Sequence, residues 1–382
     1  MPTEPAKRTA SGPSAPQVIS IKHVNAPDGL YLREGKSTTA GILQAMTQGT
    51  VVEVFEEGEW DHVRVGDLTG YAFSQYLSPG LPDAVQPGRG TAGTAAPVRT
   101  PGRYRGPKVD FVAGIHGPGD AFTWHDPGFR AMIEKLGMPV KFMSDGDRSN
   151  WYEQFRKPSL ELVRVFWHPD PNRRKTAQEA WAEDMHDGVM NFYSRGARHF
   201  EVLNEPRLPK EGMGSQWSNE AEFGDFLRQL MQTIKKNCPD ARLWYPGESP
   251  GVPWTNQFAF SRPAYQKVAD LCFGLCQHAY SGNTNDVNKA VDEIVDQVRK
   301  FHEGMQVWDK PIIVSECSVN RAASPEFRAN VYTQVSQQLR QIPGVKGVFW
   351  YTSHWNAPEN ERANAESWHG TDLPERYKRL NP

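Results

Sequence analysis

Eight short runs of β-branched and aromatic residues, spread between residues 109 and 351, most restrict how this chain can fold. Amphipathic stretches with apolar residues at helical spacing lie between them. Eight strand-then-helix repeats predict an α/β fold of the (β/α)8 barrel type, although a doubly wound open sheet would show the same alternation. The predicted strands are Val109–Ile115, Pro139–Met143, Leu162–Trp167, His199–Leu203, Arg242–Tyr245, Cys272–His278, Pro311–Ser315 and Val345–Tyr351, and the clearest helices are Ala177–Ser194, Glu220–Lys236, Val287–Phe301 and Glu326–Ile342.

Two segments rich in Pro, Gly, Ser and Ala divide the chain. Residues 1–16 have the composition of a flexible tail, and residues 79–107 that of a linker. They leave a small domain over residues 17–78 and a large one over residues 108–382, and the latter has the size of a single barrel.

The small domain is predicted to be an all-β module. Residues 50–55 and 60–65 alternate between apolar and polar side chains, and glycines separate the runs. The motifs Leu30–Arg33, Glu59-Trp60 and Gly70-Tyr71 make this segment resemble a bacterial SH3 (SH3b) domain, a small SH3-like barrel. That resemblance implies binding of a cell-wall or other surface glycan. Trp60, Tyr71 and Tyr76 either fill the small core or face the ligand.

Composition excludes several other classes of protein. The 43 Lys and Arg residues nearly balance the 45 Asp and Glu residues, so we expect no nucleic acid as a partner. No apolar run is long enough for membrane insertion. The first 16 residues lack the apolar segment of a signal peptide, so either the protein is not secreted by that route or a leader has been removed. The four cysteines have neither zinc-site nor disulfide-framework spacing, and we expect buried free thiols.

In a barrel of this type, catalytic side chains follow the carboxyl ends of the strands. Glu205 follows the fourth predicted strand and Glu316 the seventh, so their carboxylates are expected to face each other across a cleft. Two facing carboxylates suit glycosidic bond cleavage, because one protonates the leaving oxygen and the other attacks the anomeric carbon or activates water. Further polar or aromatic candidates at strand ends are His116, Asp120, Ser144, Asp145, His168, Asp170, His278, Tyr280, Trp350, His354 and Trp355.

Two motifs resemble those of the retaining clan A glycoside hydrolases. Residues 201–206 (EVLNEP) are similar to that clan's motif at the end of strand four, and residues 312–316 (IIVSE) to its motif at strand seven. The resemblance implies the following roles: Glu205 is the general acid/base, Glu316 the nucleophile, Asn204 a ligand of the sugar 2-hydroxyl, His278 and Tyr280 a His-x-Tyr pair whose phenol orients the nucleophile, and Trp350 the apolar floor beneath the sugar.

Other expected contacts with substrate come from neighbouring predicted strands. Members of that clan often hold an arginine beside the nucleophile, and either Arg164 or Lys141 could supply the positive charge here. His168 follows strand three. Trp167 and Trp355 belong to a group of tryptophans near the predicted loops, whose flat faces could stack on sugars. We expect no cofactor and no metal.

The resulting hypothesis is a monomeric, retaining hydrolase of β-linked polysaccharide, more typically endo-acting than exo-acting, located outside the cell or at its surface. One alternative is a cell-wall lysin that degrades peptidoglycan. Another is a non-catalytic glycan-binding barrel, for instance in a phage particle or the cell envelope. A metal-dependent barrel hydrolase would need a His-x-His pair on the first strand, where His116 stands alone.

Overall fold

The chain forms two compact units, Met1–Pro97 and Val98–Pro382. The computed structural model describes residues 18–26, 30–38, 40–46, 50–65, 68–80, 104–118, 122–144, 149–157, 160–250, 257–282, 284–319, 323–353 and 367–381. The division between the units lies within the segment interpreted as a linker, residues 79–107. The expected tail over residues 1–16 lies outside the described residues.

The first unit is one antiparallel sheet of seven strands in the order β3-β2-β6-β5-β4-β1-β7. A single 3-10 turn, Ser74–Tyr76, connects β6 and β7. The short, alternating strands match the pattern predicted for an SH3-like barrel. The strands are β1 (Ser20–Val24), β2 (Leu30–Arg33), β3 (Ile42–Met46), β4 (Val51–Glu56), β5 (Trp60–Val65), β6 (Leu68–Phe73) and β7 (Leu77–Pro79).

The core of this unit is aliphatic. Its apolar members are Val24, Ala26, Leu32, Met46, Val52, Val54, Val63, Ala72 and Leu77. Trp60, Tyr71 and Tyr76 are absent from that cluster, and Tyr76 is 42% exposed. These aromatic side chains therefore do not fill the core, which was one of the two possibilities for them.

The second unit is a closed barrel of eight parallel strands. The last strand pairs with the first in parallel, which distinguishes the barrel from an open sheet and confirms the predicted fold. The strands are β8 (Val112–His116), β9 (Val140–Met143), β10 (Leu162–Val165), β11 (His199–Val202), β12 (Arg242–Tyr245), β13 (Cys272–Ser281), β14 (Ile312–Val319) and β15 (Val345–Trp350).

Helices follow the strands and bury their apolar faces against the barrel. The predicted helix over 177–194 is present but contains a π-helical turn, Trp181–Met185, between α3 and α4. None of the described helices combines the length and apolar character needed to cross a membrane. The helices are α1 (Pro127–Leu136), α2 (Ser149–Phe155), α3 (Ala177–Ala180), α4 (His186–Ser194), α5 (Glu220–Asn237), α6 (Gln257–Gln266), α7 (Val287–Met305), α8 (Pro325–Leu339) and α9 (Leu373–Leu380). Cys238, Cys272, Cys276 and Cys317 are buried free thiols, as predicted.

Strands β13 and β14 are longer than predicted, and this difference matters for the site. They pair over seven positions, from Leu275 opposite Ile312 to Ser281 opposite Val319. The pairing carries Tyr280 and Glu316 inside the strands rather than in the loops after them, and His278 lies within β13 rather than at its end. These side chains are therefore held by the sheet, which positions them more precisely than a loop would.

Candidate active site

Glu205 and Glu316 meet at the carboxyl end of the barrel. One carboxylate oxygen of each lies within 4.8 Å of the other, and both side chains are buried. Strand β11 ends at Val202, and the backbone then takes positive φ at Leu203 (73°) and Glu205 (32°). The amide of Glu205 donates to the carbonyl of Gly247 at 3.0 Å, which holds this turn in place.

A bulge in β14 lets two consecutive residues face the barrel interior. Gln277 pairs with Val314 but His278 pairs with Glu316, so Ser315 is the additional residue. Ser315 Oγ donates to the interior carboxylate of Glu201 at 2.6 Å, while Glu316 also points into the site. Strict alternation would have placed one of the two outside the barrel.

Both positively charged residues considered from the sequence approach the nucleophile candidate. Arg164 Nη1 lies 2.5 Å from Glu316 Oε1, and Lys141 Nζ lies 3.9 Å from the same oxygen. Lys141 is fully buried on β9 and also donates to the carbonyl of Ser315 at 3.0 Å. The two cations thus stand on neighbouring strands beside one carboxylate.

These neighbours determine the protonation state of Glu316. Burial by itself raises the pKa of a carboxyl group, but the positive charge of Arg164 foremost, together with that of Lys141, brings the pKa of Glu316 well below its ordinary value. The phenol of Tyr280 also donates a short hydrogen bond to Glu316 Oε2. Glu316 is therefore held ionised, the form that a nucleophile requires.

Glu201 is the functional residue that sequence reasoning missed. It is fully buried on β11, where Oε2 pairs with Lys141 Nζ at 2.6 Å and Arg164 Nε at 3.0 Å. Its Oε1 accepts from the Gly247 amide at 3.2 Å. Burial opposes its ionisation, but Arg164 and Lys141 outweigh that and hold its pKa well below the usual range. The signal available in the sequence was a glutamate in the middle of an apolar strand.

His278 connects the two catalytic candidates. Its Nδ1 lies 2.8 Å from Glu205 Oε1, and its Nε2 lies 3.0 Å from Arg164 Nη2. Burial lowers the pKa of His278, whereas the carboxylates of Glu316, Glu201 and Glu205 raise it. The contact with Arg164 requires an unprotonated Nε2, because a guanidinium nitrogen only donates and needs an acceptor. In this arrangement we therefore assign the neutral ring, with Nδ1–H donating to Glu205.

His116 and Tyr351 complete the wall beside Glu316. His116 Nδ1 lies 2.7 Å from the carbonyl of Gly117, and Nε2 lies 3.5 Å from Glu316 Oε1. Burial and then Lys141 lower the pKa of His116 to about 4, so the ring is neutral near pH 7. The Tyr351 ring lies 5.1 Å from that of His116 and 6.3 Å from that of Tyr280. Tyr351 is partly exposed and supplies an aromatic surface at this position.

Asn204 lies next to Glu205 and has one unused polar atom. Its Nδ2 donates to Glu211 Oε1 at 3.0 Å. Its Oδ1 is buried and has no hydrogen-bond partner in the described part of the chain. A buried amide with spare hydrogen-bonding capacity beside a candidate catalytic carboxylate is suited to binding a substrate hydroxyl.

Two aromatic expectations require correction. Trp350 is fully buried and points out of the barrel, where its ring stacks on Tyr332 at 4.4 Å, so it cannot form a floor beneath a sugar. Trp167 is also buried. Its indole nitrogen donates to Asp184 at 3.0 Å, and its ring stacks on Phe226 at 5.4 Å. Neither ring has a face free for stacking on substrate.

Two further predicted contacts lie apart from the central cluster. His168 is exposed, and its ring lies 4.5 Å from that of Phe166. None of the described contacts joins His168 to Glu205 or Glu316, so its role as a substrate contact remains a prediction. Trp355 falls outside the described residues, as do His354, Asp120 and Asp145.

The donor atoms of Glu205, His278 and Glu316 are close enough together to suit a metal ion, since they lie within 4.8 Å of one another. These groups already contact one another, and Arg164 and Lys141 place two positive charges beside Glu316. A further cation would be repelled by these charges. The donor set therefore fits carboxylate chemistry better than metal binding.

Comparisons with known proteins identify the small unit and the fold of the large one. Residues 28–78 match the family model for the bacterial SH3 domain. No curated protein matches the chain in sequence. The chain thus contains a bacterial SH3 domain followed by a (β/α)8 barrel.

Several solved structures resemble the chain. A family 39 glycoside hydrolase from Bacteroides cellulosilyticus is 12% identical, with a TM-score of 0.51 over 95% of this chain and 77% of that one. A family 128 (subgroup II) endo-β-1,3-glucanase from Sorangium cellulosum is 14% identical, with a TM-score of 0.46 over 72% and 97%. A family 51 α-L-arabinofuranosidase from Thermotoga petrophila is 10% identical, with a TM-score of 0.47 over 72% and 71%. At 12% identity the likeness to the family 39 enzyme shows the fold alone, and the reaction must be argued from the site.

Proposed function

We propose that the chain is a retaining glycoside hydrolase that cleaves a β-linked polysaccharide by double displacement. Glu316 is the nucleophile and Glu205 the general acid/base. The observation that carries this proposal is the pair of buried carboxylates with oxygens within 4.8 Å of each other. Retaining enzymes separate their two carboxyl groups by about 5 to 5.5 Å, whereas inverting enzymes need about 6.5 to 9.5 Å to admit a water molecule.

The different surroundings of the two carboxylates support the assignment of roles. Glu316 faces Arg164 and Lys141, whose positive charges favour the ionised form. Glu205 accepts a hydrogen bond from Nδ1–H of the neutral His278 ring. The other nitrogen of that ring faces Arg164, so His278 lies between Glu205 and the guanidinium. The residue that must stay ionised is thus Glu316, and the residue that exchanges a proton is Glu205.

In the first step Glu316 attacks the anomeric carbon, the glycosidic C–O bond breaks, and Glu205 gives its proton to the departing oxygen. In the second step a water molecule gives a proton to Glu205, and the water oxygen attacks the anomeric carbon. The bond between that carbon and Glu316 breaks, which releases Glu316 as a carboxylate. Asn204 would bind the 2-hydroxyl, and Tyr280 would hold Glu316 in line. The barrel thereby returns to its starting state.

The remaining parts of the proposal concern substrate and place. An endo-acting enzyme on a neutral β-glycan agrees with the nearly balanced charge of the chain. The bacterial SH3 domain would attach the enzyme to a cell-wall or surface polymer, so we propose action outside the cell or at its surface. Peptidoglycan is the alternative polymer, because bacterial SH3 domains are found on proteins of that environment as well.

The test of the nucleophile is chemical rescue. Glu316→Ala removes the attacking oxygen, and we expect turnover to fall by several orders of magnitude. Azide should then restore product formation as a glycosyl azide of inverted configuration. Activity that persists in Glu316→Ala without azide would contradict this assignment.

The test of the acid/base is the dependence on leaving group. Glu205→Ala should still be glycosylated rapidly by substrates with an activated aryl leaving group, because these need little protonation. Natural substrates should lose about 10²- to 10⁴-fold in rate. An equal loss for all leaving groups would assign Glu205 a different role.

The substrate is identified by release of reducing sugar from β-glucans, mannan, xylan, chitosan and purified peptidoglycan, with Glu316→Gln as the matched control. Release by the unaltered chain alone, from one polymer, would establish both the activity and the substrate class. Turnover of none of these polymers by a folded chain that still binds one of them would favour the non-catalytic alternative.

A further inference from the structure

The bacterial SH3 unit has aromatic side chains on the outside of its sheet rather than in its core. Along β5, Asp61 and Val63 are buried while Trp60 and His62 are half-buried. Along β6 the same alternation occurs. Gly70 and Ala72 are buried, while Tyr71 and Phe73 are half-buried and face outward. Large apolar rings on the solvent side of a sheet with a complete aliphatic core are not required for packing and indicate a binding surface.

The outward rings form one continuous surface, which we call the aromatic face. It consists of Phe55, Trp60, His62, Tyr71, Phe73 and Tyr76. Trp60 lies directly opposite Phe73 across β5 and β6, and His62 directly opposite Tyr71. The ring centroids are 5.0 Å and 4.9 Å apart in these two pairs.

Rings at both ends extend the two central pairs. Phe55 on β4 contacts His62 at 5.6 Å, and Tyr76 contacts Phe73 at 5.9 Å. Successive outward positions on a strand are about 7 Å apart, so the paired rings form rows along the sheet. The dimensions suit an extended chain lying across several rings, rather than a single small molecule held in a pocket.

Most of the charged groups bordering this face are paired. Lys36 Nζ lies 3.0 Å from Glu56 Oε1, and Arg64 Nε lies 2.6 Å from Glu53 Oε2. Arg33, opposite Tyr71 on β2, adds one positive charge and donates to the carbonyl of Ala40 at 2.8 Å. One charge beside two neutralised pairs makes no strong field of either sign, and this favours an uncharged partner.

We infer that the aromatic face binds an uncharged polysaccharide chain. The C–H faces of sugar rings stack on flat aromatic rings, and their hydroxyls can reach the paired charges at the border. This inference deepens the tethering part of the proposed function and rests on it for the place of the polymer. The face itself is independent of the barrel's carboxylates, so the two proposals can fail separately.

The test measures sedimentation of the full-length chain with insoluble β-1,3-glucan, cellulose and mannan. Every protein in this test, including each binding variant, also carries Glu316→Gln, so that the barrel digests no polymer. We expect Tyr76→Ala to weaken binding to the preferred polymer about threefold to tenfold, because it removes an exposed stacking ring at one end of the face. Tyr76 lies in a 3-10 turn outside the strands, so this change spares the sheet pairing.

Matched controls separate binding from folding. Leu68 on β6 is as exposed as Tyr76, at 42%, but lies three residues from Tyr71 and so on the other side of the strand. Leu68→Ala should bind like the parent chain. Trp60→Ala is the stronger test, and its binding is interpreted only if the variant retains its thermal unfolding transition. Tyr76→Phe keeps an aromatic ring and should therefore keep most of the binding.

Two outcomes overturn the inference. One is binding of uncharged polymers that Tyr76→Ala and a folded Trp60→Ala leave unaltered, which would place the contact elsewhere. The other is binding only to peptidoglycan, lost when its stem peptides are cleaved away, which would make the ligand a peptide. Failure of the barrel to release sugar would leave these binding measurements intact, because they do not depend on turnover.

Discussion

Glu201 shows how single buried charges organise this site. It lies between Lys141 and Arg164, and those two cations in turn face Glu316. Without Glu201, the single carboxylate of Glu316 would face the two buried positive charges of Lys141 and Arg164 alone. Removing one partner from a buried ion pair strongly destabilises a protein, because the remaining charge has lost both water and its counter-ion.

We therefore predict that Glu201→Gln lowers the free energy of unfolding by about 3 to 5 kcal/mol. Denaturant unfolding measures this directly. The matched control is Glu375→Gln, which breaks the exposed pair with Lys135 at 2.7 Å and should cost less than about 1 kcal/mol. Equal effects of the two changes would show that the buried cluster is not electrostatically coupled.

A second prediction at this scale concerns neighbouring aromatic residues. Tyr351 lies beside His116 and Tyr280 in the site, whereas Trp350 packs against Tyr332 behind the barrel wall. Tyr351→Ala should lower kcat/KM about tenfold or more with little change in melting temperature. Trp350→Leu should lower the melting temperature and leave KM nearly unchanged. Kinetics and calorimetry on both variants decide this, and the reverse pattern would restore the role first expected for Trp350.

At the scale of elements, helix starts follow directly from local chemistry. Helix α7 begins after Asp286, whose carboxylate accepts from the amides of Asn288 at 2.8 Å and Lys289 at 3.2 Å. Helices α5 and α8 begin in the same way, after Asn219 and Ser324. Short polar side chains at these positions satisfy amides that have no partner within the helix. The starts predicted from apolar spacing, Glu220, Val287 and Glu326, lie within one residue of those that the caps define.

We predict that Asp286→Ala lowers the free energy of unfolding by about 1 kcal/mol through loss of the cap. Asp292→Ala is the control, because Asp292 is an exposed aspartate within the same helix and caps nothing. The control should be neutral or slightly stabilising, since alanine has the higher helix propensity. Thermal or denaturant unfolding of the two variants makes the comparison.

For the molecule as a whole, buried or half-buried histidines couple the stability of the barrel to pH. Burial foremost lowers the pKa of His116, His199 and His302 to about 4 each. In the unfolded chain a histidine takes up its proton near pH 6.5. Between pH 6.5 and 4 the unfolded state therefore binds more protons than the folded state, and stability declines as the pH falls.

The expected slope is up to about 1.4 kcal/mol per pH unit for each of these histidines. The measurement is unfolding of the barrel at a series of pH values between 7 and 4. His302→Gln should reduce the slope, because it removes one of the histidines whose pKa is lowered by burial. A stability that is flat over this range would show that the histidines are protonated in the folded state.

The sequence by itself determined the alternation of strands and helices and put the two central carboxylates at strand ends, whereas closure into a barrel was decided by the pairing of β15 with β8. Eight apolar runs separated by amphipathic stretches close into a barrel, and the carboxyl ends of its strands meet at one end, so Glu205 and Glu316 had to approach each other. The cation beside Glu316 was predictable as a charge but not as a residue, since both Arg164 and Lys141 supply it.

The tertiary structure alone decided which side of the barrel wall several side chains occupy. Side chains on a strand alternate with a period of two, so a shift of one residue exchanges inside for outside. The bulge at Ser315 and the end of β15 both depend on pairing with neighbouring strands, which local sequence does not reveal. That is why Tyr351 rather than Trp350 lines the site. It is also why the role of Glu201 could not be predicted, because only the fold brings Lys141 and Arg164 beside it.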